Sequence, residues 1–384
     1  MEPSVIRTSA PLLGEVAPFY RRRPVDDILS FACLGIALVF AAITRLGWPG
    51  LVQFEYDESW ALSVASSIAR GQALPLVGIG SSLNVPNAPF FVYLMALPEL
   101  LGRDPSTATA FVGLLGAGAV AATYGFARSL FDPIAAGAAA ILYAVSPWGI
   151  IYSRKVWEQD TLPIFVTLGF WALFTSLLRG KPRLLAPGVV LLALATQLHP
   201  TAFFLAVPAA VLVIGSVILD RARSASIARW LAIGLLVALV TEAPFIVWQA
   251  GHGWPTIAAL GHAGGDHGQF DLTAFRLAAS AVAGNGYPLQ AQAANPWKLA
   301  SLIEAGLLVL GSAALGAQAL RSGRGAPRAA ALAILAWLAT PILAQIHHGV
   351  PLYPHYFIVL YPAAFVVMGV GVATLWGAGP HPLA

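Results

Sequence analysis

The chain has 384 residues, of which 58% are hydrophobic and 10% charged, against roughly 45–50% and 25% in a soluble domain, so no soluble core absorbs the excess. Lys and Arg outnumber Asp and Glu by 21 to 17, but the cations fall in short clusters between apolar runs, which is a topology signal and excludes a nucleic-acid surface. The single cysteine, Cys33, lies inside the first apolar run, which excludes an intrachain disulfide, a thiolate zinc cage and dithiol redox chemistry.

A spanning helix needs about 20 mostly apolar residues, because a hydrocarbon core about 30 Å thick is crossed at 1.5 Å per residue. In chain order this criterion predicts ten helices, at 27–46, 107–127, 134–152, 161–178, 184–198, 201–219, 230–249, 298–320, 329–346 and 355–376. The expected class is all-α, a polytopic integral membrane protein. The fifth run is short, and only His199-Pro200 separates it from the sixth. Arg21, Arg22 and Arg23 precede the first run, and no cleavage-like ending follows it, so it is read as a retained anchor with a cytoplasmic N-terminus. Alternation then assigns the clusters at Arg128, at Arg179, Lys181 and Arg183, at Arg221, Arg223 and Arg229, and at Arg321, Arg324 and Arg328 to the same side. The expected organisation in the plasma membrane is a cytoplasmic segment 1–26, one membrane domain 27–376 and a cytoplasmic tail 377–384.

Two outer segments exceed a connector. The first, 47–106, holds Ser59 to Arg70, whose Trp60, Val64 and Ile68 spacing suits a helix lying in the interface. It also holds Pro89 to Leu101, an apolar run too short to span and so re-entrant or on the surface. The second, 250–297, is rich in Gly, His and Asn, and loops of that length are functional or disordered.

Phe54-Glu55-Tyr56-Asp57-Glu58-Ser59-Trp60 puts three carboxylates at the mouth of the first helix. Asp57 or Glu58 can cap the interfacial helix, and a capping acid is also held rigidly enough to serve as a base. The outer segment 153–160, introduced by Tyr152, carries Arg154, Lys155 and Asp160. Outer cations run against the inside preference. Arg154 and Lys155 either grip lipid headgroups or clamp the phosphate of a bound substrate, Arg as a fork and Lys as a point charge.

Tyr56-Asp57-Glu58, Ser146-Pro147-Trp148 leading to Tyr152-Ser153-Arg154-Lys155 and Asp160, then Leu198-His199-Pro200-Thr201, together resemble the GT-C glycosyltransferases. More narrowly the chain resembles the polyprenyl-phosphate-sugar transferases related to protein O-mannosyltransferases and aminoarabinose transferases. The resemblance runs over about 27–220; beyond it only the helical pattern and Pro354-His355-Tyr356-Phe357 agree. It implies a GT-C-like membrane domain with juxtamembrane helices on its outer face. It also implies an inverting hexosyl- or pentosyltransferase of the cell envelope, moving a sugar from a polyprenyl-phosphate donor to a hydroxyl of a lipid, glycan or protein. Asp57 corresponds to the family's proposed base, or to a residue that binds metal or substrate, with Glu58 beside it. Arg154 and Lys155 would meet the phosphate, and Tyr56, Asp160, His199, His355 and Tyr356 would contact substrate. No cofactor is assigned; a divalent metal, if one takes part, would fall to Asp57 and Asp160. Family members often carry a soluble C-terminal domain, which has no counterpart in these residues.

The donor class also has a physical argument. Nucleotide sugars are cytoplasmic, and the chain has neither a P-loop nor a strand-flanked Gly-rich fingerprint. An outward site therefore needs a carrier that has crossed the membrane, with 89–101 and neighbouring helices as the groove for its tail. Seven of the eight histidines, all but His381, fall on or near the outer side. His252, His262, Asp266 and His267 form a zinc option, although their spacing does not match a helical pair. Glu242 and Glu304 lie inside predicted helices, where neutral, hydrogen-bonded glutamates are the simplest expectation. A transporter or flippase of lipid-linked sugar is the alternative function; transporters collect polar groups near the midplane, whereas these gather at one face.

Overall fold

The computed structural model describes residues 23–81, 85–263, 268–284, 296–323 and 325–378. The chain is helical almost throughout. Its helices are α1 (Pro24–Leu46), α2 (Tyr56–Ala69), α3 (Phe90–Glu99), α4 (Pro105–Leu130), α5 (Pro133–Val145), α6 (Pro147–Ile151), α7 (Glu158–Leu178) and α8 (Leu185–Leu198), followed by α9 (Ala206–Leu219), α10 (Ser224–Gly251), α11 (Pro255–Ala263), α12 (Thr273–Ala283), α13 (Pro296–Arg321), α14 (Ala326–Leu343) and α15 (Tyr361–Ala378). Proline opens α4, α5 and α6, where its missing N–H costs nothing. The residue before each proline caps the helix: Asp104 accepts the Ser106 N–H at 2.8 Å, Asp132 that of Ala135 at 2.9 Å, and Ser146 that of Gly149 at 3.2 Å.

Each expected spanning run has a counterpart. Among the described residues eight helices are long and apolar enough to cross a membrane, while Pro133–Val145 and Pro182–Leu198 are shorter apolar helices. The boundaries differ where hydropathy overrode proline. The run expected at 134–152 is two helices, because Ser146 leaves the helical region and Pro147 restarts it. Pro200 begins a 3-10 turn, Pro200–Leu205, before α9, and another, Pro354–Leu360, precedes α15. The helix expected to reach 346 ends at Leu343, two residues past Pro341.

The axial element is α15, packed on α5 and α13, with 83% of its spanning window buried. Its contact with the neighbours is backbone to backbone. A Cβ on Gly369 would stand 2.2 Å from the Ala135 carbonyl oxygen, and one on Gly311 1.9 Å from that of Val367, the close approach that small residues permit between membrane helices. Phe365 stacks on Tyr143 at 4.8 Å. At the periphery α10 and α13 turn Leu236, Val240, Leu302 and Val309 outward, as lipid-facing surfaces do.

The two ends of the bundle differ in chemistry. At one end Arg128 pairs with Asp27 at 2.7 Å, Arg179 donates to the Ser129 carbonyl, and Arg223 donates to the carbonyls of Ser176 and Leu177 at 3.1 and 3.2 Å. At the other, α1's far end about 34 Å away across its 23 residues, the segments carrying Asp57 and Lys155 meet.

The segment 250–297 is ordered in its described part. Strand β1 (Gln269–Phe270) pairs antiparallel with β2 (His347–His348), and His348 Nε2 lies 3.4 Å from Asp271. Helix α12 packs on the 354–360 turn and on α13. It ends at Gly284 in the left-handed region, φ +62°, against Pro147.

Candidate active site

The site is built on the first turn of α2. Glu55 is its N-cap, and its N–H donates to Glu58 Oε2 at 3.0 Å, so Glu58 at N3 closes a capping box. One turn position earlier, Asp57 is half-buried, while Glu58 has no exposed surface. The other Glu58 oxygen, Oε1, lies 2.9 Å from Lys155 Nζ. That ion pair joins the segment 47–106 to the turn between α6 and α7.

The turn has its own scaffold. Ser153 Oγ donates to the Gly149 carbonyl at 2.8 Å, and the Lys155 N–H donates to Asp160 Oδ2 at 3.0 Å, across five residues. Lys155 Nζ stands 4.7 Å from the centroid of the Trp157 ring, a cation–π contact. Asn87 donates to Glu158 Oε2 at 2.7 Å, and Asp57 lies within electrostatic reach of Glu158.

The aromatic residues form the adjoining wall. The His355 ring lies 4.7 Å from Trp157, 5.9 Å from His199 and 4.8 Å from Tyr356, and Tyr356 is 5.1 Å from His199. His199 ends α8; its Nδ1 lies 2.7 Å from Thr201 Oγ1 and accepts the Thr201 N–H at 3.3 Å. Burial, reinforced by His355, pushes the His199 imidazole down to about 3 and keeps it neutral. Burial pushes the Tyr152 phenol up, with Asp160 adding to the effect.

The structure thus brings together Asp57, Glu58, Lys155, Asp160, His199, His355 and Tyr356. Tyr56 and Arg154 complete the expected set. Tyr56 is 76% exposed. The Arg154 guanidinium donates to the carbonyls of Thr44 and, at 3.0 Å, Trp48, bracing the end of α1 against the turn, so Lys155 is the cation set among the acids.

Several residues of the site carried no motif in the sequence. Asn87 and Trp157 have no periodic signal. Arg45 did carry one, a lone cation within an apolar run. It is 1% exposed, donates to the carbonyls of Ala144 and Tyr143 at 2.9 and 3.1 Å, and lies 5.8 Å from the Tyr143 ring.

Among the described residues no three His, Cys, Asp or Glu side chains gather as a metal site. Asp160 Oδ2 is engaged by the Lys155 N–H, and the described residues present do not form a cage. Of the zinc option, His252 stacks on Trp248 at 4.3 Å with Nδ1 2.7 Å from the Trp248 carbonyl oxygen; the side chains of His262, Asp266 and His267 lie outside the described residues. Beside Glu242, Gln197 Nε2 donates to Thr241 Oγ1 at 3.3 Å.

The profile of dolichyl-phosphate-mannose-protein mannosyltransferases matches residues 85–248, which include Asn87, Lys155 and Asp160 and leave out Asp57. No curated protein matches the chain in sequence. Among solved structures, ArnT from Cupriavidus metallidurans bound to undecaprenyl phosphate is similar with a TM-score of 0.60 and 16% identity, over 90% of this chain and 59% of that one. Its apo state gives 0.59 and 18%, over 89% and 59%. The apo oligosaccharyltransferase of Archaeoglobus fulgidus gives 0.55 and 14%, over 88% and 50%. The chain therefore spans about three fifths of the ArnT length and half of the oligosaccharyltransferase. At such identities the likeness is one of fold.

Proposed function

We propose that this chain, a member of the GT-C superfamily, is a membrane glycosyltransferase that moves a sugar from a polyprenyl-phosphate carrier to an acceptor hydroxyl on the non-cytoplasmic face. The observation that carries the reading is the meeting of the Asp57–Glu58 segment with Lys155 through the 2.9 Å ion pair. An acid and a cation face one another at a single end of the bundle, beside an aromatic wall. The fold similarity to ArnT, which binds undecaprenyl phosphate, supports a lipid-phosphate donor.

The chemistry follows from the leaving group. The acceptor oxygen attacks the anomeric carbon while Asp57 takes its proton, and the bond from that carbon to the phosphate oxygen breaks on the opposite face, inverting the centre. The electron pair leaves with the polyprenyl phosphate, already a stable anion, so no general acid is needed there. Lys155 stabilises the charge that develops, electrostatic catalysis by a group fixed in advance. Arg154 adds positive potential at the rim while bracing α1. Sidedness rests on the cationic end, held by Arg128, Arg179 and Arg223, being cytoplasmic. The site then faces outward, where a nucleotide sugar is absent and a translocated lipid carrier is the available donor.

The test is turnover by purified protein given a polyprenyl-phosphate hexose or pentose and a hydroxyl acceptor. Product is expected with wild type and absent with Asp57→Asn. Unchanged turnover in that variant removes Asp57 as the base.

A further inference from the structure

Two acids of the site are withheld from solvent. Glu58 has no exposed surface and Asp160 is 1% exposed. Both face the same residue: Glu58 Oε1 forms an ion pair with Lys155 Nζ at 2.9 Å, and Asp160 Oδ2 accepts the Lys155 N–H at 3.0 Å. A buried carboxylate is costly unless a cation or donors satisfy it, and Lys155 supplies both kinds of partner.

The arrangement fixes an otherwise mobile side chain. Lysine is a point charge on a flexible four-carbon stem, and ordering it costs up to about 2 kcal/mol of rotamer freedom. Glu58 cannot swing away, because its second oxygen is held by the Glu55 N–H at 3.0 Å. Trp157 lies 4.7 Å from the ammonium and limits it further. An ammonium has three N–H donors, and Glu58 Oε1 holds it as an ion partner without taking a hydrogen bond, which leaves donors for a phosphate.

We infer that Glu58 and Asp160 are positioning residues that act on the donor through Lys155, Glu58 by fixing the ammonium and Asp160 by fixing the main chain that carries it. The inference rests on the proposed function only in taking Lys155 as the partner of the donor phosphate. It separates the roles of adjacent acids. Asp57, half-buried, faces the reaction, whereas Glu58 faces the lysine.

The test reads the lysine first without any donor. Acylation of Lys155 by an amine-reactive reagent, followed by mass spectrometry of the full-length protein, is expected to run about tenfold faster or more in Glu58→Gln and in Asp160→Asn, the scale of one lost charged hydrogen bond. The second arm is binding of undecaprenyl phosphate in detergent micelles. Glu58→Gln is expected to weaken it about tenfold when Lys155 is present, and by less than about twofold when Lys155 is already Met, the signature of a coupled pair. The double variant removes both partners of a buried pair, a change that folds protect better than loss of one. Equal losses in both backgrounds, or unchanged labelling in both acid variants, overturn the positioning role. Faster labelling in the variants, with no binding of the carrier to wild type, upholds the fixing of Lys155 and overturns the proposed donor.

Discussion

Asn87 donates its side-chain amide to Glu158 Oε2 at 2.7 Å, so a residue just ahead of α3 holds the opening residue of α7. Glu158 is 2% exposed and its Oε1 already has no hydrogen-bond partner among the described residues, so without Asn87 neither buried oxygen has a donor. Asn87→Ala is expected to lower stability by about 1–3 kcal/mol, seen as a fall in the thermal midpoint in detergent. Asn87→Asp, which sets a second carboxylate against the first, is expected to cost more. An unshifted midpoint in both would mean that the contact is dispensable.

The two neighbouring cations divide their labour. Lys155→Gln is expected to weaken binding of a polyprenyl phosphate about ten- to hundredfold. Arg154→Gln releases the carbonyls of Thr44 and Trp48, so its main effect falls on thermal stability, about 1–3 kcal/mol, with a smaller effect on the carrier. Binding measured by titration, alongside thermal unfolding, separates the two. Identical profiles for both variants would contradict the division.

His199 gives a pH dependence. Its imidazole titrates at about 3 in the fold and near 6.5 when unfolded, so between those values only the unfolded chain takes up the proton. Stability from this group is therefore complete above about 6.5 and is lost as the pH falls toward about 3, by up to roughly 1.4 kcal/mol per pH unit. The thermal midpoint of wild type is expected to drop on acidification more steeply than that of His199→Gln. Parallel curves would exclude His199 as the source.

Sidedness has a direct measurement, because Cys33 is the only native cysteine. In a Cys33→Ala background, Ser59→Cys and Lys181→Cys place thiols at two exposed positions. A membrane-impermeant maleimide applied to intact cells is expected to label position 59 at once and position 181 only after permeabilisation. The reverse order would turn the site inward.

The spanning helices were legible because hydrophobic length is a one-dimensional property, readable without knowing neighbours. The break at Pro147 was visible as a letter but was outweighed by an apolar run that continues through it, whereas Pro200 and Pro354 were read as boundaries and only the 3-10 turns that follow them were not. At the site, the residue types at 57, 58, 154 and 155 were readable, but not their directions. Adjacent residues on a helix point about 100° apart, and which of Asp57 and Glu58 turns inward depends on Lys155, nearly a hundred positions away. The same limit applies to Arg154, whose carbonyl partners at Thr44 and Trp48 leave no trace in side-chain pattern. Asn87 and Trp157 were hidden for a plainer reason: each matters through one long-range contact.

The glycine contacts of α15 bear on how the proposed lipid donor reaches the site. With Gly369 and Gly311 pressed against neighbouring carbonyls, the central post has no slack, and His355 and Tyr356 stand just ahead of it. Admission of a bulky tail must then be accommodated by elements around the margin, such as α2 and α3, while the post keeps the aromatic wall stationary and in register.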